Sequence, residues 1–108
     1  MEINWRPEAN KALYGIYRFY AEKNRKVAEQ IVNDITQAVD KLSHFPQMAP
    51  VEGMLAGLAD EFRSMVVYRL FKVVYFINEP ANEIVMVTIF DCRQNPAKLR
   101  ENVLRKRK

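Results

Sequence analysis

Apolar residues recur every three or four positions in two consecutive stretches near the start of the chain. The first stretch follows Pro7, a residue that suits the first turn of a helix, and predicts a helix over residues 8–22. The second predicts a helix over residues 26–45, which ends before Pro46. Asn24 lies between them and can cap the start of the second helix. Two helices joined by so short a link form an antiparallel hairpin, whose apolar stripes need another layer to pack against.

The other apolar stretches have the pattern of β-strands. Residues 2–5 alternate between polar and apolar and predict a short strand. Residues 62–77 are dominated by Val, Tyr, Phe and Leu but are too long for a typical strand, so we expect two strands with a bend near residues 68–70. A turn at residues 78–82 then leads into a β-branched run that predicts a strand over residues 83–90.

The order of these elements predicts the fold class. Residues 46–61 contain two prolines and two glycines and form an irregular connection, and Pro96 opens a short basic helix at the end of the chain. Helices grouped first and strands grouped later indicate an α+β fold, in which the helix hairpin packs on an antiparallel sheet within a single domain over residues 1–108. Lys72 is the odd polar residue of its strand, so we expect it on the sheet face away from the helices or at the rim.

Composition excludes several classes of protein. The chain has no apolar run near 18 residues, so we expect no membrane span, and its N-terminus lacks the pattern of a signal peptide. The single cysteine, Cys92, excludes an internal disulfide and fits a reducing cytoplasm. With His44 as the only histidine, we expect no metal site, and without a Gly-rich phosphate loop we expect no cofactor.

The positive charge is concentrated at the C-terminal end. Residues 93–108 hold seven basic residues and one acidic residue, a net charge of +6, whereas residues 1–92 hold 10 basic and 12 acidic residues, a net charge of −2. Such a patch attracts an acidic protein or a polyanion, although a solvated basic tail is the alternative. Within it, Arg93 directly follows a buried strand and precedes a helix, a placement that holds a cation rigidly at a surface.

The order and spacing of these motifs resemble the RelE/ParE toxin superfamily of bacterial toxin–antitoxin modules. The long helix hairpin and the Arg-Gln-Asn-Pro ending are more similar to the ParE (plasmid stabilisation) branch than to the RelE branch. The segments that carry the resemblance are Ala12-Leu13, Ile16-Tyr17, Tyr20-Ala21, Phe62-Arg63, Lys72-Val73-Val74-Tyr75, Ile84-Val85-Met86-Val87 and Arg93-Gln94-Asn95-Pro96 with Leu99.

The resemblance implies one of two toxic activities. RelE-like members are ribosome-dependent endoribonucleases that use Lys and Arg to stabilise phosphate charge, whereas ParE-like members bind DNA gyrase. The basic positions of the nuclease pattern fall on Arg63, Lys72 and Arg93. However, Met65 stands where the pattern has a further basic residue, and Leu99 stands where it has a C-terminal tyrosine.

These departures weaken the case for a nuclease, because RNA cleavage needs both a proton acceptor and a proton donor. Arginine is a poor general base but a good clamp for anions. Tyr68 and Tyr75 are the candidate proton donors, and alternation places Tyr75 in the core. We therefore predict an anion- or target-binding set rather than a catalytic set, consisting of Arg63, Lys72, Arg93, Lys98 and Arg100.

The resulting expectation is a cytoplasmic toxin of a type II toxin–antitoxin module that binds DNA gyrase and is neutralised by a cognate antitoxin. The alternative is an endoribonuclease that cuts mRNA on the ribosome. A third reading, a small basic nucleic-acid-binding module, lacks the interleaved aromatic and basic residues of single-strand readers. The resemblance also implies an assembly with the antitoxin, with a heterotetramer or a higher complex among the alternatives.

Overall fold

The computed structural model describes residues 1–106, the last of them by its backbone alone. Arg107 and Lys108, which belong to the predicted basic patch, lie outside the described residues. The predicted order β-α-α-β-β-β-α is confirmed. The elements are β1 (Glu2–Trp5), α1 (Pro7–Ala21), α2 (Arg25–Leu42), β2 (Phe62–Val67), β3 (Phe71–Asn78), β4 (Glu83–Asp91) and α3 (Ala97–Lys106).

The two long helices form the predicted hairpin because each has a clear start and one apolar stripe. Pro7 opens α1, and Asn24 caps α2 by accepting a hydrogen bond from the backbone N–H of Val27 at 3.2 Å. The fully buried positions of α2 are Ala28, Ile31, Ile35, Val39 and Leu42. This helix ends at Leu42, before the predicted residue 45, in a tightened turn where the Ser43 N–H donates to Asp40 O.

The sheet has the strand order β1-β4-β3-β2. The three strands after residue 61 are antiparallel, as predicted. The N-terminal strand β1 pairs with β4 in parallel, with Ile3 opposite Ile84, so the complete sheet is mixed. The short β1 thus covers one edge of β4 and makes it a central strand.

Both faces of the sheet are covered. We call the face under α1 and α2 the helix face; its buried strand residues are Val67, Phe71, Val73, Tyr75, Ile84, Met86 and Ile89. We call the opposite face the α3 face; it buries Phe62, Val74, Phe76, Val85, Val87 and Phe90 beneath Leu55, Leu99 and Val103. Since β4 is buried on both sides, its apolar run is continuous rather than alternating.

Lys72 lies where we expected it. Its neighbours Phe71 and Val73 belong to the helix face, whereas Val74, which shares its direction along the strand, belongs to the α3 face. Lys72 therefore points away from the helix hairpin, and its side chain is 28% exposed.

The bend between β2 and β3 falls at residues 68–70, as predicted, but its backbone is unusual. Tyr68 has φ 56° and Arg69 has φ 58°, which is the left-handed region that favours glycine and asparagine. The turn between β3 and β4 places an asparagine, Asn82, in the same region with φ 52°. None of the helices in residues 1–106 is both long enough and apolar enough to cross a membrane.

Substituting alanine for Asn24 and for Asn33 should change stability in opposite directions, because Asn24 caps α2 and Asn33 lies inside it. Asn24→Ala removes the acceptor for the Val27 N–H and should lower the free energy of unfolding by about 1 kcal/mol. Asn33→Ala, at an exposed position inside α2, should raise it by about 0.5 kcal/mol, because alanine has the higher helix propensity. Urea denaturation measures both free energies of unfolding, provided that the m-value is unchanged. Equal changes of the same sign in the two variants would contradict a stabilising cap at Asn24.

Candidate functional site

Arg63 and Lys72, two of the five predicted binding residues, lie on opposite faces of the sheet. Arg63 follows Phe62, which belongs to the α3 face, so the Arg63 side chain leaves β2 on the helix face. Lys72 leaves β3 on the α3 face. The structure therefore does not bring these two cations together around one anion.

Lys72 is engaged by a carboxylate of the chain itself. Glu52, from the loop of residues 43–61 between α2 and β2, is only 6% exposed. Its Oε1 accepts hydrogen bonds from Lys72 Nζ at 2.7 Å and from Ser64 Oγ at 2.8 Å, and its Oε2 accepts one from the Met54 N–H at 2.9 Å. Three donors thus converge on one buried carboxylate, as burial of a charge requires.

This environment favours the charged form of Glu52. Burial alone raises the pKa of the carboxyl group, but the hydrogen bonds from Lys72, Met54 and Ser64 together outweigh it. The pKa of Glu52 is consequently held below its ordinary value of 4.5. Glu52 is therefore charged at neutral pH, and it forms an ion pair with Lys72 Nζ.

Arg63 holds the same loop from the other face of the sheet. Its Nη1 donates to Ala49 O at 2.7 Å, and its Nη2 lies 3.4 Å from the exposed carboxylate of Glu61. The adjacent Tyr75 is fully buried, as predicted, and its hydroxyl donates to Pro46 O at 2.7 Å. Burial raises the pKa of Tyr75, so this phenol stays protonated.

Arg100 is the third predicted cation that holds this loop. From α3, its Nη1 donates to Ala56 O at 2.7 Å and to Met54 O at 3.3 Å. Three of the five predicted residues, Arg63, Lys72 and Arg100, thus stabilise residues 49–56. Lys98 lies exposed on the first turn of α3, where Asn95 Oδ1 accepts from the Ala97 N–H.

Arg93 is held rigidly at the surface, on the helix face just beyond β4. Its Nε and Nη2 lie 3.0 and 2.7 Å from the two carboxylate oxygens of Asp91, a bidentate pair. Its Nη2 also donates to the Tyr20 hydroxyl of α1 at 3.2 Å. Hydrogen bonds from Arg93 hold the pKa of Asp91 below its ordinary value. The arginine side chain stays 55% exposed and accessible to a partner.

A groove of about 290 Å³ runs beside Arg93, between α1 and the end of β4. Its floor is apolar and its rim carries the Arg93–Asp91 pair. Gly15 lies in its wall, inside α1, and a Cβ built there would meet no atom of residues 1–106 within 4 Å beyond its own helix backbone. A glycine in a helix interior is unfavourable relative to alanine by about 1 kcal/mol, and packing within the chain does not require this one.

Sequence reasoning missed Glu52, Ser64 and Tyr20. Glu52 stands twenty residues before Lys72 in an irregular loop, so no periodicity connects them. The available signal was Ser64, a polar residue that alternation places on the same strand face as Phe62, since a buried hydroxyl needs a partner. No three His, Cys, Asp or Glu side chains of residues 1–106 lie close enough together to hold a metal ion.

Comparison with known families gives a match over most of the chain. Residues 3–96 match the family model described as ParE toxin of type II toxin-antitoxin system, parDE. No curated protein sequence matches closely enough to count as a relative.

Two solved structures are similar in fold. One, from the chromosomal ParDE toxin–antitoxin system of P. aeruginosa, has a TM-score of 0.68 at 20% identity and covers 84% of this chain and 95% of its own. The other, the isolated E. coli RelE toxin, has a TM-score of 0.57 at 10% identity and covers 99% of this chain and 98% of its own. The predicted fold is thereby confirmed, since the described architecture is shared with both.

The Glu52 site should contribute to stability in a pH-dependent way. Glu52→Gln removes the charge that Lys72 and Ser64 converge on, and should lower the free energy of unfolding at pH 7 by about 1–3 kcal/mol. Because the pKa of Glu52 is lowered in the folded chain, its contribution is complete above pH 4.5 and is lost as pH falls below that value. The difference between the variant and the wild-type chain should therefore shrink in acid.

Denaturant titrations between pH 3 and pH 7 measure this difference. Glu61→Gln is the matched control. Glu61 is 70% exposed and its contact with Arg63 is long, at 3.4 Å, so the substitution should change stability by less than about 0.5 kcal/mol. An equal loss in both variants, or a loss for Glu52→Gln that grows in acid, would show that the buried pair does not hold the loop.

Proposed function

The chain belongs to the ParE toxin family of type II toxin–antitoxin systems, and from this premise we propose that it stops growth by binding DNA gyrase in the cytoplasm and that a cognate antitoxin neutralises it. Membership of the family implies an antitoxin partner. The proposal adds the target, the mode of action and the neutralisation. It treats the toxin as a binding protein without a chemical step of its own.

The separation of Arg63 from Lys72 is the observation that carries this proposal. A nuclease of the RelE type would need its cations grouped around one scissile phosphate, with a proton acceptor and a donor beside it. Here the two cations lie on opposite faces of the sheet, and Ala49 O and Glu52 already occupy them. Both cations are committed to contacts of the fold and are not grouped around one phosphate.

The other positions of the nuclease pattern serve packing. Met65 packs against the core under the helix hairpin, and Leu99 is 1% exposed on the α3 face. Tyr75 is buried, and its hydroxyl is committed to Pro46 O. Arg93 and Lys98 are the predicted cations whose charged groups stay accessible, which favours contact with a partner over acid–base chemistry.

The target is tested by two assays on the purified chain. We expect inhibition of gyrase supercoiling and no site-specific cuts by primer extension on translated mRNA. Site-specific cuts that vanish in both Arg93→Ala and Lys72→Ala would instead establish an endoribonuclease, since loss of charge stabilisation costs roughly a hundredfold or more in rate. Glu61→Gln is the control in both assays, because it changes an exposed charge outside the predicted set.

We place the antitoxin in the groove beside Gly15. The groove combines an apolar floor with the exposed Arg93, which suits an amphipathic segment that carries acidic residues and folds on contact. The open space over Gly15 gives an apolar side chain of that segment a close approach to α1. The basic helix α3 begins at Ala97 but covers the opposite face of the sheet, so the segment would reach its cations only by continuing past Arg93 around the end of β4.

A single substitution should uncouple toxicity from its neutralisation. Gly15→Leu fills the groove from within and keeps a good helix former, so we expect an intact fold and growth arrest that coexpressed antitoxin no longer relieves. Antitoxin affinity should fall tenfold or more by calorimetry. Gly15→Ala is the matched control and should bind within threefold of the wild-type chain.

The pattern of results separates three situations. Loss of toxicity in Gly15→Leu with a folded chain would assign the groove to the target. Unchanged neutralisation would place the antitoxin elsewhere on the surface. A wild-type chain that causes no growth arrest, with or without the antitoxin gene, would count against an active toxin.

A further inference from the structure

The turn between β2 and β3 carries bulky residues in a backbone conformation that does not suit them. Tyr68 and Arg69 are consecutive, and both have left-handed φ values, 56° and 58°. Asparagine or glycine adopts this conformation with little strain, whereas side chains like these do so at a cost. The comparable position in the β3–β4 turn is Asn82, so this chain does use the relaxed residue type elsewhere.

Packing within the fold does not account for these two side chains. Tyr68 is 42% exposed, and Arg69 is exposed without a carboxylate of residues 1–106 within ion-pairing distance. The third residue of the turn, Leu70, behaves differently. Its side chain packs against the core of the helix face, and its carbonyl oxygen accepts from the Cys92 N–H at 2.7 Å. The turn is therefore anchored at its base while Tyr68 and Arg69 project.

The surroundings of the turn favour a protein as its partner. Val66, just before it, is 56% exposed, so the tip offers two apolar groups and one unpaired cation. Tyr and Arg are the residue types most enriched at the energetic centres of protein interfaces. A nucleic-acid backbone would instead require a row of free cations, whereas the neighbouring Lys72 is paired with Glu52 and Arg93 with Asp91.

We propose that Tyr68 and Arg69 form the docking tip by which this chain contacts its protein target, with Arg69 pairing with a carboxylate of the target and Tyr68 entering an apolar site beside it. This inference rests on the proposed function, because it names the contact residues for the proposed gyrase interaction. The left-handed turn displays both side chains outward from a rigid sheet end. The tip adjoins the groove beside Gly15, because Phe71 lines that groove and Leu70 O accepts from the Cys92 N–H, so an antitoxin bound in the groove would lie next to the tip.

The decisive variant relaxes the turn while it removes the tip. Tyr68→Asn with Arg69→Gly places residues suited to left-handed φ at both positions, so we expect a melting temperature equal to or above that of the wild-type chain. The concentration that half-inhibits gyrase supercoiling should nevertheless rise tenfold or more. Asn82→Gly is the matched control, because it also places a glycine at a left-handed position of a strand turn, and it should leave inhibition unchanged.

Each result has a defined reading. A folded double variant that inhibits gyrase as well as the wild-type chain overturns the tip and leaves the proposed function standing. If the double variant does not fold, Arg69→Asn alone takes its place and should still weaken inhibition at least fivefold. If the double variant loses binding to duplex DNA, measured by fluorescence anisotropy, but binds gyrase as the wild-type chain does, the proposal of a protein partner for the tip is wrong.

The wild-type chain distinguishes failure of the target from failure of the tip. If it arrests growth but does not inhibit supercoiling, the gyrase proposal fails, and growth arrest becomes the readout for the same variants. The proposal that Tyr68 and Arg69 contact the target is then supported if the double variant no longer arrests growth while Asn82→Gly still does. It is wrong if both variants still arrest growth. If the wild-type chain neither arrests growth nor inhibits supercoiling, the proposed function and the tip fall together.

Discussion

A sheet that is buried on both faces needs two covers, and in this chain the second cover depends on one buried carboxylate. The helix hairpin covers one face through two regular apolar stripes. The other face is covered by α3 and by a loop that has no periodic pattern of its own. Glu52 fixes that loop, because Lys72, Ser64 and the Met54 N–H all donate to it. If Glu52 and Lys72 did not pair, two charges would be left without a partner at the base of the loop. This would greatly lower the free energy of unfolding.

The regular elements could be predicted because their signals are local. Each helix carries its own apolar period and its own start residue, and the continuous apolar run of β4 follows from burial on both faces. The parallel pairing of β1 could not be predicted, since Ile3 meets Ile84 across most of the chain and no local pattern reports that contact. The turn at Tyr68 was predicted in position but not in kind, because its residues are not those that left-handed turns favour.

The candidate site was predicted only as a set of charges, since a sequence shows a cation but not the group it meets. Arg63, Lys72 and Arg100 looked like binding residues, and the structure turns all three toward the loop. Arg93 keeps an accessible guanidinium because its partner Asp91 lies on the same short segment and holds it without covering it. Whether a cation is engaged or accessible depends on the loop of residues 43–61. This loop is distant in sequence and reaches the cations only in the folded chain.

The use of these cations bears on the proposed function. A fold does not imply a function, and the site built upon it does. In this chain, positions that would have to gather around a phosphate are divided between two faces and occupied by the chain's own acceptors. The same contacts hold the loop against the sheet, and a surface that is already ordered binds a protein at a lower entropic cost. Under the proposed function, committing these cations to the loop therefore serves a protein partner and leaves fewer groups free for a phosphate.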